Sequence, residues 1–452
     1  TNNGGISIAG QNNRYNQIMF DGAVNNDVFG LSETGTNGGQ TGSSPISIDA
    51  IESFQVGVSP YDVALGNFTG GSVNAVTKSG TNKVKGTAYY IVRNQDLAGK
   101  TPTGEKSAAI KLPDFSNTII GGTIGFPIIK NKLFFFGSFE VEDGERPQPF
   151  DPTTFRAPLF RDTINMIQAR LRQFGYETGD WENIPDLIKS TKLATKLTYN
   201  ISSKHRLNLS YRYTKSDRSL TSPSTTTQIR FFNNGYLFPS TTHSASAELT
   251  SAFSSRLSNK FLLTYTDVLD DRNPLGNPFP RVTLNSFNGT SYVFGTEEFS
   301  TGNQLKQNNF ALFNELKYNI GKHQIKAGVD VEFSKSYNLF IRQAFGSYNY
   351  TWALDWLNDL NPNSYNRSFS LVDDKVGDGS AAAAEFNTLR FGAFLGDQWD
   401  VTNNFQLNFG VRIDNFEFLT TPKEDTFFNR YALAQLSAVY DTRGIRSGAR
   451  PN

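Results

Sequence analysis

The chain lacks several residue types on which common protein chemistries depend. Its 452 residues include no cysteine and only three histidines. Without cysteine there is no disulfide, no thiolate nucleophile and no cysteine-ligated metal, and an exported location is permitted. A net charge of +1 gives no electrostatic reason to expect nucleic acid as a partner. No apolar run of about 18 residues occurs, which excludes a membrane-spanning helix but not membrane-spanning strands.

Aromatic residues, by contrast, are abundant in a chain that is polar overall. They make up 13% of the residues, with 38 phenylalanines, while the mean hydropathy is -0.42. A single buried core does not readily combine these two properties. Strands that alternate polar and apolar residues do combine them when one side faces lipid and the other a wet interior. The composition therefore favours a transmembrane β-barrel.

From about residue 83 the sequence repeats one unit: a strand, a short turn, a second strand and a long polar segment. In one unit, Ile325, Val329 and Phe333 share one face while Lys326 and Asp330 share the other, which is the period of two that a strand requires. The pattern predicts a first strand at 83–94 and then five hairpins. These are residues 115–142, 190–216, 242–268, 308–337 and 389–418.

Long connections alternate with the short turns throughout this region. They are predicted at 95–114, 143–189, 217–241, 269–307 and 338–388. In an up-and-down sheet this alternation places every short turn on one side, as in bacterial outer-membrane barrels with short periplasmic turns and long extracellular loops. Eleven strands cannot close such a barrel, because single-chain bacterial barrels carry an even number. We therefore expect the remaining strands beyond Asn452.

Residues 1–81 do not follow the hairpin pattern. They are rich in glycine and asparagine, with a strand predicted in NQIMFDG and a short helix followed by a strand in PISIDAIESFQVGVSP. This segment is too short to bury a good core by itself. It ends within GGSVNAVTKSGTNKVKGTAYY, where residues 79–82 read as a turn before the first barrel strand. The sequence therefore predicts two domains, residues 1–81 and 82–452.

Three stretches resemble TonB-dependent outer-membrane receptors, particularly the Oar-like branch common in Bacteroidota. They are GQNNRYNQIMFDGAVNNDVFG, PISIDAIESFQVGVSPYDVALGNFTGGSVNAVTKSGTNKVKGTAYY and GFPIIKNKLFFFGSFE. The first two resemble the later part of the family's plug domain, and the third resembles its second and third barrel strands. The resemblance implies an all-β fold, a transmembrane antiparallel up-and-down β-barrel of about 22 strands. About eleven strands would be present here, with the plug remnant in the lumen.

The resemblance also implies a location and an activity. The protein would reside in the bacterial cell outer membrane, bind a substrate at the cell surface and import it through a plug-gated barrel. Its partners would be outer-membrane lipid, a TonB-type energy-coupling protein in the periplasm, and an unknown extracellular ligand or surface lipoprotein. Two alternatives stay open: a barrel serving as a platform for surface adhesion, signalling or protein export, and a soluble extracellular β adhesin.

The sequence offers no good candidate for an enzyme site. Two histidines, His205 and His323, fall in separate short turns, and His243 opens a strand alone. A zinc site or a serine triad would have to use one of these three residues. The glycine-rich stretch 70–82 matches neither common phosphate-loop spacing. We therefore expect no catalytic residues.

Aromatic residues in the loops are the candidate substrate contacts. No membrane explains rings in YNYTWALDW (348–356) or in FFNNGYLF (231–238), so they could stack on a sugar or peptide ligand. The alternative is that the loops fold onto one another. The candidates are Tyr236, Phe238, Tyr348, Tyr350, Trp352 and Trp356. Rings near strand ends are instead expected in the membrane girdle, namely Phe134, Phe135, Phe136, Tyr199, Tyr211 and Trp399.

Residues 157–174 are expected to form a helix within the second long loop. Ile164, Ile167, Leu171 and Phe174 fall on one side of it at helical spacing, and that side would pack the loop over the mouth of the barrel.

Lumen-facing charges of both signs favour contact with a polar plug over a wide ion-selective pore. The predicted plug–barrel contacts are Arg14, Asp21 and Lys78 on one side and Arg206, Arg212, Asp330 and Arg412 on the other. Oxygen-rich loops could hold a structural calcium ion. The weak candidates are Asp270 and Asp271, and Asp373, Asp374 and Asp378. Neither group has the spacing of a defined calcium loop, and solvated acidic residues are the alternative.

Overall fold

The computed structural model consists mainly of strands, arranged in three sheets of eleven, five and four strands. It describes residues 5–27, 29–58, 62–101, 109–146, 148, 150–182, 184–369, 382–443 and 445–448. Within those residues no helix is both long enough and apolar enough to span a membrane.

The strands and helices are numbered in chain order. The strands are β1 (Gln17–Phe20), β2 (Ala23–Val24), β3 (Ile51–Val58), β4 (Gly71–Thr77), β5 (Lys85–Asn94), β6 (Ser116–Ile129), β7 (Leu133–Arg146), β8 (Asp186–Asn200), β9 (His205–Leu220), β10 (Gln228–Arg230), β11 (Tyr236–Ala252), β12 (Leu257–Pro274), β13 (Arg281–Asn285), β14 (Ser291–Phe294), β15 (Asn303–Ile320), β16 (His323–Phe340), β17 (Ser347–Tyr350), β18 (Ser364–Asn366), β19 (Ala384–Thr402) and β20 (Phe405–Phe418). The helices are α1 (Gln95–Ala98), α2 (Phe160–Gln173), α3 (Ala353–Leu357) and α4 (Leu433–Leu436).

The large sheet confirms the predicted up-and-down order and the eleven strands. Its order is β5-β6-β7-β8-β9-β11-β12-β15-β16-β19-β20, and each strand is antiparallel to the next. The predicted hairpins all occur, but most strands extend further toward the long loops than the sequence pattern indicated. The third hairpin, for example, covers 236–274. The outermost strands, β5 and β20, do not pair with each other among the described residues, so this sheet is open.

The two faces of the large sheet differ sharply, because side chains alternate along each strand. On the outer face, apolar residues remain exposed in rows that run across the strands. One row pairs Tyr265 with Phe310 and Phe310 with Phe333. The inner face is polar and carries buried charges such as Lys196 and Arg212. This is the arrangement of a barrel wall with lipid outside and a polar lumen inside.

The girdle prediction was wrong for two of the six aromatic residues. Phe134 and Phe136 are buried on the inner face, and Phe136 packs with Ile46 and Ala50 of the N-terminal segment. Three consecutive phenylalanines on one strand cannot all face the same side, so Phe135 alone of the three points outward.

The N-terminal unit, defined here as the described residues of 5–81, contains the four-stranded sheet β2-β1-β4-β3. β1 and β4 are parallel, whereas the other two pairs are antiparallel. β1 and β2 are joined by Asp21 and Gly22, whose φ angles are 49° and 81°. An Asp-Gly pair is favoured at such a two-residue hairpin turn because both positions need positive φ.

The N-terminal unit passes into the large sheet between β4 and β5. β4 ends at Thr77 and β5 begins at Lys85. Gly80 lies between them, against the backbone of the β6–β7 hairpin. A Cβ atom at this position would lie 2.3 Å from the Phe135 carbonyl oxygen. Only glycine allows so close an approach of two backbones.

The long loops also fold together into a structure that the sequence pattern did not reveal. The loop unit, defined as α2, α3 and the five-stranded sheet β10-β14-β13-β17-β18, draws on four different connections between barrel strands. Its core is apolar and includes Ile164, Ile167 and Leu171 of the predicted helix. The prediction was wrong for Phe174, which follows the last residue of α2 and is exposed.

Candidate functional site

The region where the N-terminal unit meets the inner face of the large sheet is the candidate functional site. Its most buried contact involves the β1–β2 turn. Lys196 Nζ of β8 lies 2.9 Å from Asp21 Oδ1, with side chains only 8% and 13% exposed. Lys196 also donates to the Thr77 carbonyl at 3.2 Å, and the Thr77 N–H donates to Asp21 at 3.0 Å. The ion pair therefore joins two strands of the N-terminal unit to the barrel wall.

Arg212 of β9 supplies a second buried cation next to this ion pair. Its guanidinium lies over the Phe20 ring at 4.1 Å from the ring centroid and donates to the Asn25 side chain. Phe20 and Asn25 both belong to the β1–β2 hairpin region. A cation held over a ring out of water is stabilised by the charge distribution of the ring. The hairpin is therefore fastened through both its polar turn and its apolar body.

A second contact region holds residues 62–66 against the other half of the large sheet. Lys326 Nζ of β16 lies 2.5 Å from Asp62, and Arg412 of β20 donates to the Val63 carbonyl at 3.3 Å. Burial acts to raise the pKa of Asp62, but the hydrogen bonds from Lys326 and the Ala64 N–H lower it below its ordinary value. Arg412 also pairs with Asp330 of the inner face.

A third contact region lies at residues 45–49. Thr214 donates to the Pro45 carbonyl at 2.8 Å, and Ser47 lies 2.8 Å from the Tyr89 hydroxyl. Asp49 accepts a hydrogen bond from Thr87 of β5. That bond, together with Lys78, lowers the pKa of the carboxyl against the opposing effect of burial. All three regions use polar groups of the inner face.

Four of the seven predicted plug–barrel residues do not bond between the N-terminal unit and the sheet. Asp330 pairs with Arg390 and Arg412 within the large sheet, and the other three lie elsewhere. Lys78 pairs with Asp49, 3.1 Å away within the N-terminal unit. Arg14 packs against Gly30 in the same unit, and Arg206 is exposed at the end of the sheet that carries the short turns. Among the described residues, neither Arg14 nor Arg206 forms a hydrogen bond or ion pair between the unit and the sheet. Alternation of side chains predicted that Arg206 lies on the inner face of the sheet. It did not predict that Arg206 lies at the short-turn end, away from the N-terminal unit.

Several contact residues were not among the predicted ones. Lys196, Tyr89 and Lys326 reach the N-terminal unit, and Arg272 of β12 donates to the Gln40 side chain at 2.7 Å. The sequence pattern does place Lys196 and Lys326 on the inner face. Which inner-face residue meets which part of the unit depends on how the unit sits in the sheet, and no local pattern carries that information.

Two of the six candidate substrate-binding aromatics lie at the start of β11. Phe238 is only 1% exposed, and Arg272 stacks over its ring at 4.9 Å. The same guanidinium lies 5.5 Å from the ring of Tyr236. In this conformation both rings contact the cation of Arg272.

The other four candidates belong to the loop unit. Trp356 packs in its core, 5.3 Å from Phe294, and Tyr348 lies 4.5 Å from Tyr365. Tyr350 also packs against the core. Trp352 differs: it is 44% exposed and pairs with the exposed ring of Phe287 at 5.1 Å. Ligand contact by these four residues stays a prediction, and Trp352 is the candidate with the most accessible ring.

The calcium candidates are not brought together with further ligands. Asp270 is buried in β12 and Asp271 follows it on the opposite face. The described residues contain no group of three or more histidine, aspartate or glutamate side chains that could hold a metal ion. Asp373, Asp374 and Asp378 lie outside the described residues. A structural calcium ion stays a prediction.

Comparison with known proteins places this architecture in a family. The model of the outer membrane beta barrel domain matches residues 76–158 and 173–447, which is more than half of the chain. The chain is also 32% identical, over 146 residues, to the TonB-dependent transporter Oar of Myxococcus xanthus. That match covers 30% of this chain and 12% of the relative.

Solved structures agree on the fold. The outer membrane transporter YddB from Escherichia coli matches with a TM-score of 0.59 at 13% identity, covering 91% of this chain and 50% of that one. A mutant of the ferric enterobactin receptor from Pseudomonas aeruginosa matches with a TM-score of 0.53 at 12% identity, covering 89% and 50%. The siderophore receptor PirA from Acinetobacter baumannii matches with a TM-score of 0.52 at 14% identity, covering 89% and 49%.

The chain thus spans about half the length of these solved relatives. The predicted resemblance to the Oar-like TonB-dependent receptors is confirmed over the part that it covers. The outer-membrane location excludes the soluble adhesin. With its apolar outer face, polar inner face and eleven antiparallel strands, the chain belongs to the outer membrane beta-barrel domain family of bacteria.

Proposed function

We propose that this chain is the later part of the plug and about the first half of the barrel of a TonB-dependent receptor. The receptor binds a substrate at the cell surface and imports it past the plug. The observation that supports this most directly is the way in which the N-terminal unit is fastened. It meets the inner face mainly through ion pairs and hydrogen bonds, such as Lys196 to Asp21 and Lys326 to Asp62.

Polar attachment suits a unit that has to move. When such a contact opens in a wet lumen, water replaces each hydrogen bond, so the net loss is only about 0.5–1.5 kcal/mol for a neutral bond and about 1.5–3 kcal/mol for a bond to a charged group. A continuous apolar interface would instead lose roughly 25 cal/mol for each Å² exposed. A TonB-type protein pulling from the periplasm could therefore displace the unit without unfolding the barrel.

The ligand enters from the side of the long loops in this proposal. Two of the similar solved proteins are named as siderophore or ferric enterobactin receptors, and that supports a ligand captured at the cell surface. Trp352 and Phe287 are the exposed rings best placed to contact it.

Electrical conductance tests the plug assignment without knowledge of the substrate. We expect the full-length protein in a planar lipid bilayer to conduct poorly, and a variant lacking residues 1–81 to form a large, stable pore. Heat-modifiable migration on a gel checks that the deletion variant still forms a barrel. Equal conductance of the two proteins would argue against a plug.

A disulfide lock tests whether movement of the N-terminal unit is needed for import. A Cβ atom on Gly38 would lie 3.9 Å from the Ser240 Cβ, which suits a disulfide. These 452 residues contain no other cysteine, so within them the variant Gly38→Cys with Ser240→Cys can form one defined bond. Gly38 has a φ of 70°, so the single Gly38→Cys variant is the control for backbone strain.

Mass spectrometry of the growth medium measures uptake. A compound counts as a substrate when wild-type cells remove it from the medium and a gene-deletion strain does not. The oxidised lock should abolish this removal, and a reductant should restore it. Uptake that continues through the oxidised lock would contradict gated import.

A second candidate function is a surface platform for adhesion, signalling or protein export. The loop unit supports it, because a folded body with its own core presents a fixed surface to a partner. Partner binding that persists in the oxidised lock, in cells that show no uptake phenotype, would favour this second function.

A further inference from the structure

The short turns of the large sheet carry positive charge of one sign only. They lie between consecutive strands at residues 130–132, 201–204, 253–256, 321–322 and 403–404. These turns contain lysine and arginine residues but no aspartate or glutamate. One cationic residue from each of the first four turns is exposed, and together these four are called the rim cations. They are Lys132, Lys204, Arg256 and Lys322.

The four rim cations occupy equivalent positions in the backbone. In each case the carbonyl oxygen of the cationic residue accepts a hydrogen bond of 2.8 Å from a backbone N–H near the end of the next hairpin's first strand or of the neighbouring strand. The donors are Asn200 for Lys132, Ala252 for Lys204, Asn319 for Arg256 and Asp400 for Lys322. One bond in each turn therefore fixes the four residues at regular intervals along the rim of the sheet.

The interval between neighbouring rim cations follows from the strand register. Lys204 lies beside Ala252, which is paired with Ser258, two residues along the strand from Arg256. The same stagger of two residues relates the other neighbours. Two strand spacings of about 4.8 Å and two residues of about 3.4 Å each combine to roughly 12 Å between neighbouring positions. An extended peptide covers about that distance in four residues, and it places every fourth side chain on one face.

None of the rim cations forms an ion pair with a carboxylate among the described residues. Lys132 Nζ lies over the Tyr199 ring at 5.8 Å, and Lys322 Nζ donates to the Val401 carbonyl at 3.1 Å. The Asp400 carboxylate is bonded instead to a glutamine side chain at 2.8 Å. Exposed cations near the long loops, by contrast, do pair with carboxylates. They include Lys111, Arg172, Lys189 and Lys335.

An open basin of about 600 Å³ lies among the first three of these turns. The described residues that line it include Lys204 and Arg206 together with hydroxyl and amide groups, and they include no carboxylate. Arg206 is paired across the strands with Asn200 and Thr250 on the inner face. Lipid covers only the outer face of a barrel, and the short turns lie on its periplasmic side. The basin therefore suits a carboxylate that arrives from the periplasm.

We propose that the rim cations and the basin form a docking surface for an extended acidic segment of a periplasmic protein. Acidic residues at every fourth position of the segment meet successive rim cations. Hydroxyl and amide groups of the basin, together with Arg206, bind the carboxylate that lies beside Lys204. Charge complementarity of this kind speeds association and selects the partner. Such docking does not depend on whether the barrel imports a substrate.

Binding of a synthetic peptide to the full-length protein in detergent tests this surface. The spaced peptide carries four glutamates, one at every fourth position, separated by serine and glycine. The clustered peptide has the same composition, but its four glutamates are adjacent. Fluorescence anisotropy measures the affinity of each peptide. The two peptides carry the same charge, so only the spacing of the glutamates distinguishes them.

Two variants that lose the same charge separate the rim from the net charge of the protein. The rim variant combines Lys132→Gln, Lys204→Gln, Arg256→Gln and Lys322→Gln. The control variant combines Lys111→Gln, Arg172→Gln, Lys189→Gln and Lys335→Gln. Heat-modifiable migration on a gel checks that each variant still forms a barrel. A third variant, with arginine at the three lysine positions of the rim, keeps the charge and should keep the binding.

We expect the spaced peptide to bind the rim variant about tenfold more weakly than the wild type, because the rim variant loses four exposed ion pairs worth up to about fivefold each. The control variant should bind this peptide as the wild type does. Equal losses in the rim and control variants, or no binding to the wild type, would overturn the rim as a docking surface. Equal affinity of the wild type for the two peptides would overturn an extended segment as the occupant.

A soluble anionic lipid, dihexanoyl phosphatidylglycerol, distinguishes a lipid headgroup from an acidic peptide. We expect the wild type to bind this lipid more weakly than the spaced peptide, because one phosphate cannot meet cations that lie roughly 12 Å apart. Lipid binding that is tighter than peptide binding, and that is lost in the rim variant, would overturn docking of a protein segment.

Discussion

Lys196 and Asp21 are 175 residues apart in the chain, yet the Lys196 ammonium lies 2.9 Å from the Asp21 carboxylate. The bond joins the turn of a two-stranded hairpin in the N-terminal unit to the inner face of β8. Both side chains are buried, so each charge depends on the other for its solvation. Removing one of them is therefore more harmful than removing both.

The Asp21→Asn variant is expected to loosen the N-terminal unit by roughly 3–5 kcal/mol, because it leaves the Lys196 charge buried without its partner. Hydrogen–deuterium exchange of the β1 and β4 amides measures this opening. The double variant Asp21→Asn with Lys196→Met should recover part of the loss. Lys192→Met is the control, since Lys192 is equally buried but bonds to Glu140 within the large sheet. If that control opened β1 as much as Asp21→Asn does, the ion pair would not be a specific anchor.

Acidification should weaken the attachment of the N-terminal unit through Asp49. The hydrogen bond from Thr87 and the interaction with Lys78 hold the pKa of Asp49 below its ordinary value of 3.8. A carboxyl with a lowered pKa contributes stability that is fully present above the ordinary value and is lost as the pH falls through the lower value. We expect the wild type, but less so Asp49→Asn, to show increased amide exchange around residues 45–51 below about pH 4. Identical pH profiles for the two proteins would contradict this role of Asp49.

The loop unit should depend on the buried face of α2. Ile167 is fully buried, and Ile167→Ala is expected to cost about 2–5 kcal/mol through lost packing and the cavity that remains. Faster amide exchange in α2, with heat-modifiable migration of the barrel unchanged, measures the local effect. Met166→Ala, one position away on the exposed side, should change stability by less than about 0.5 kcal/mol. If Ile167→Ala also abolished heat-modifiable migration, the loop unit would not be folding independently of the barrel.

The two tryptophans of the fifth long loop, Trp352 and Trp356, should behave differently. Trp356→Ala should destabilise the loop unit, because its ring packs on Phe294 and lies 5.5 Å from the Arg170 guanidinium. Trp352→Ala should leave the amide exchange of α2 nearly unchanged but reduce uptake of the substrate identified by medium depletion. A ligand ring stacked on an exposed aromatic gains about 0.5–1.5 kcal/mol beyond area burial, so a loss of roughly two- to tenfold in apparent affinity is expected. Unchanged uptake would remove Trp352 from the candidate ligand contacts.

The barrel strands and the helix α2 could be predicted because their periods are written locally. Ile325 to Phe333 alternate with polar residues, and Ile164, Ile167 and Leu171 recur at helical spacing. The sheet of the loop unit could not be predicted in this way. Its strands are three to five residues long, too short to display a period, and they pair between different loops.

The candidate site was predicted in part for a related reason. Alternation of side chains along the strands is enough to predict that Arg212, Asp330 and Arg412 lie on the inner face of the sheet. The N-terminal partners of Arg212 and Arg412, which are Asn25 and Val63, follow from where the N-terminal unit rests on the sheet. Lys78 illustrates the difference, because its charge is satisfied by Asp49 of the same unit and not by the barrel.

The sequence by itself determined that side chains alternate between the two faces of each barrel strand, and that short turns alternate with long loops along the sheet. Those properties depend on a period of two and on turn length, which neighbouring residues set. Only the tertiary structure decided that Lys196 meets Asp21 and that four loops share one core. Such contacts join residues distant in the chain, and their geometry depends on strand register and on the packing of whole units.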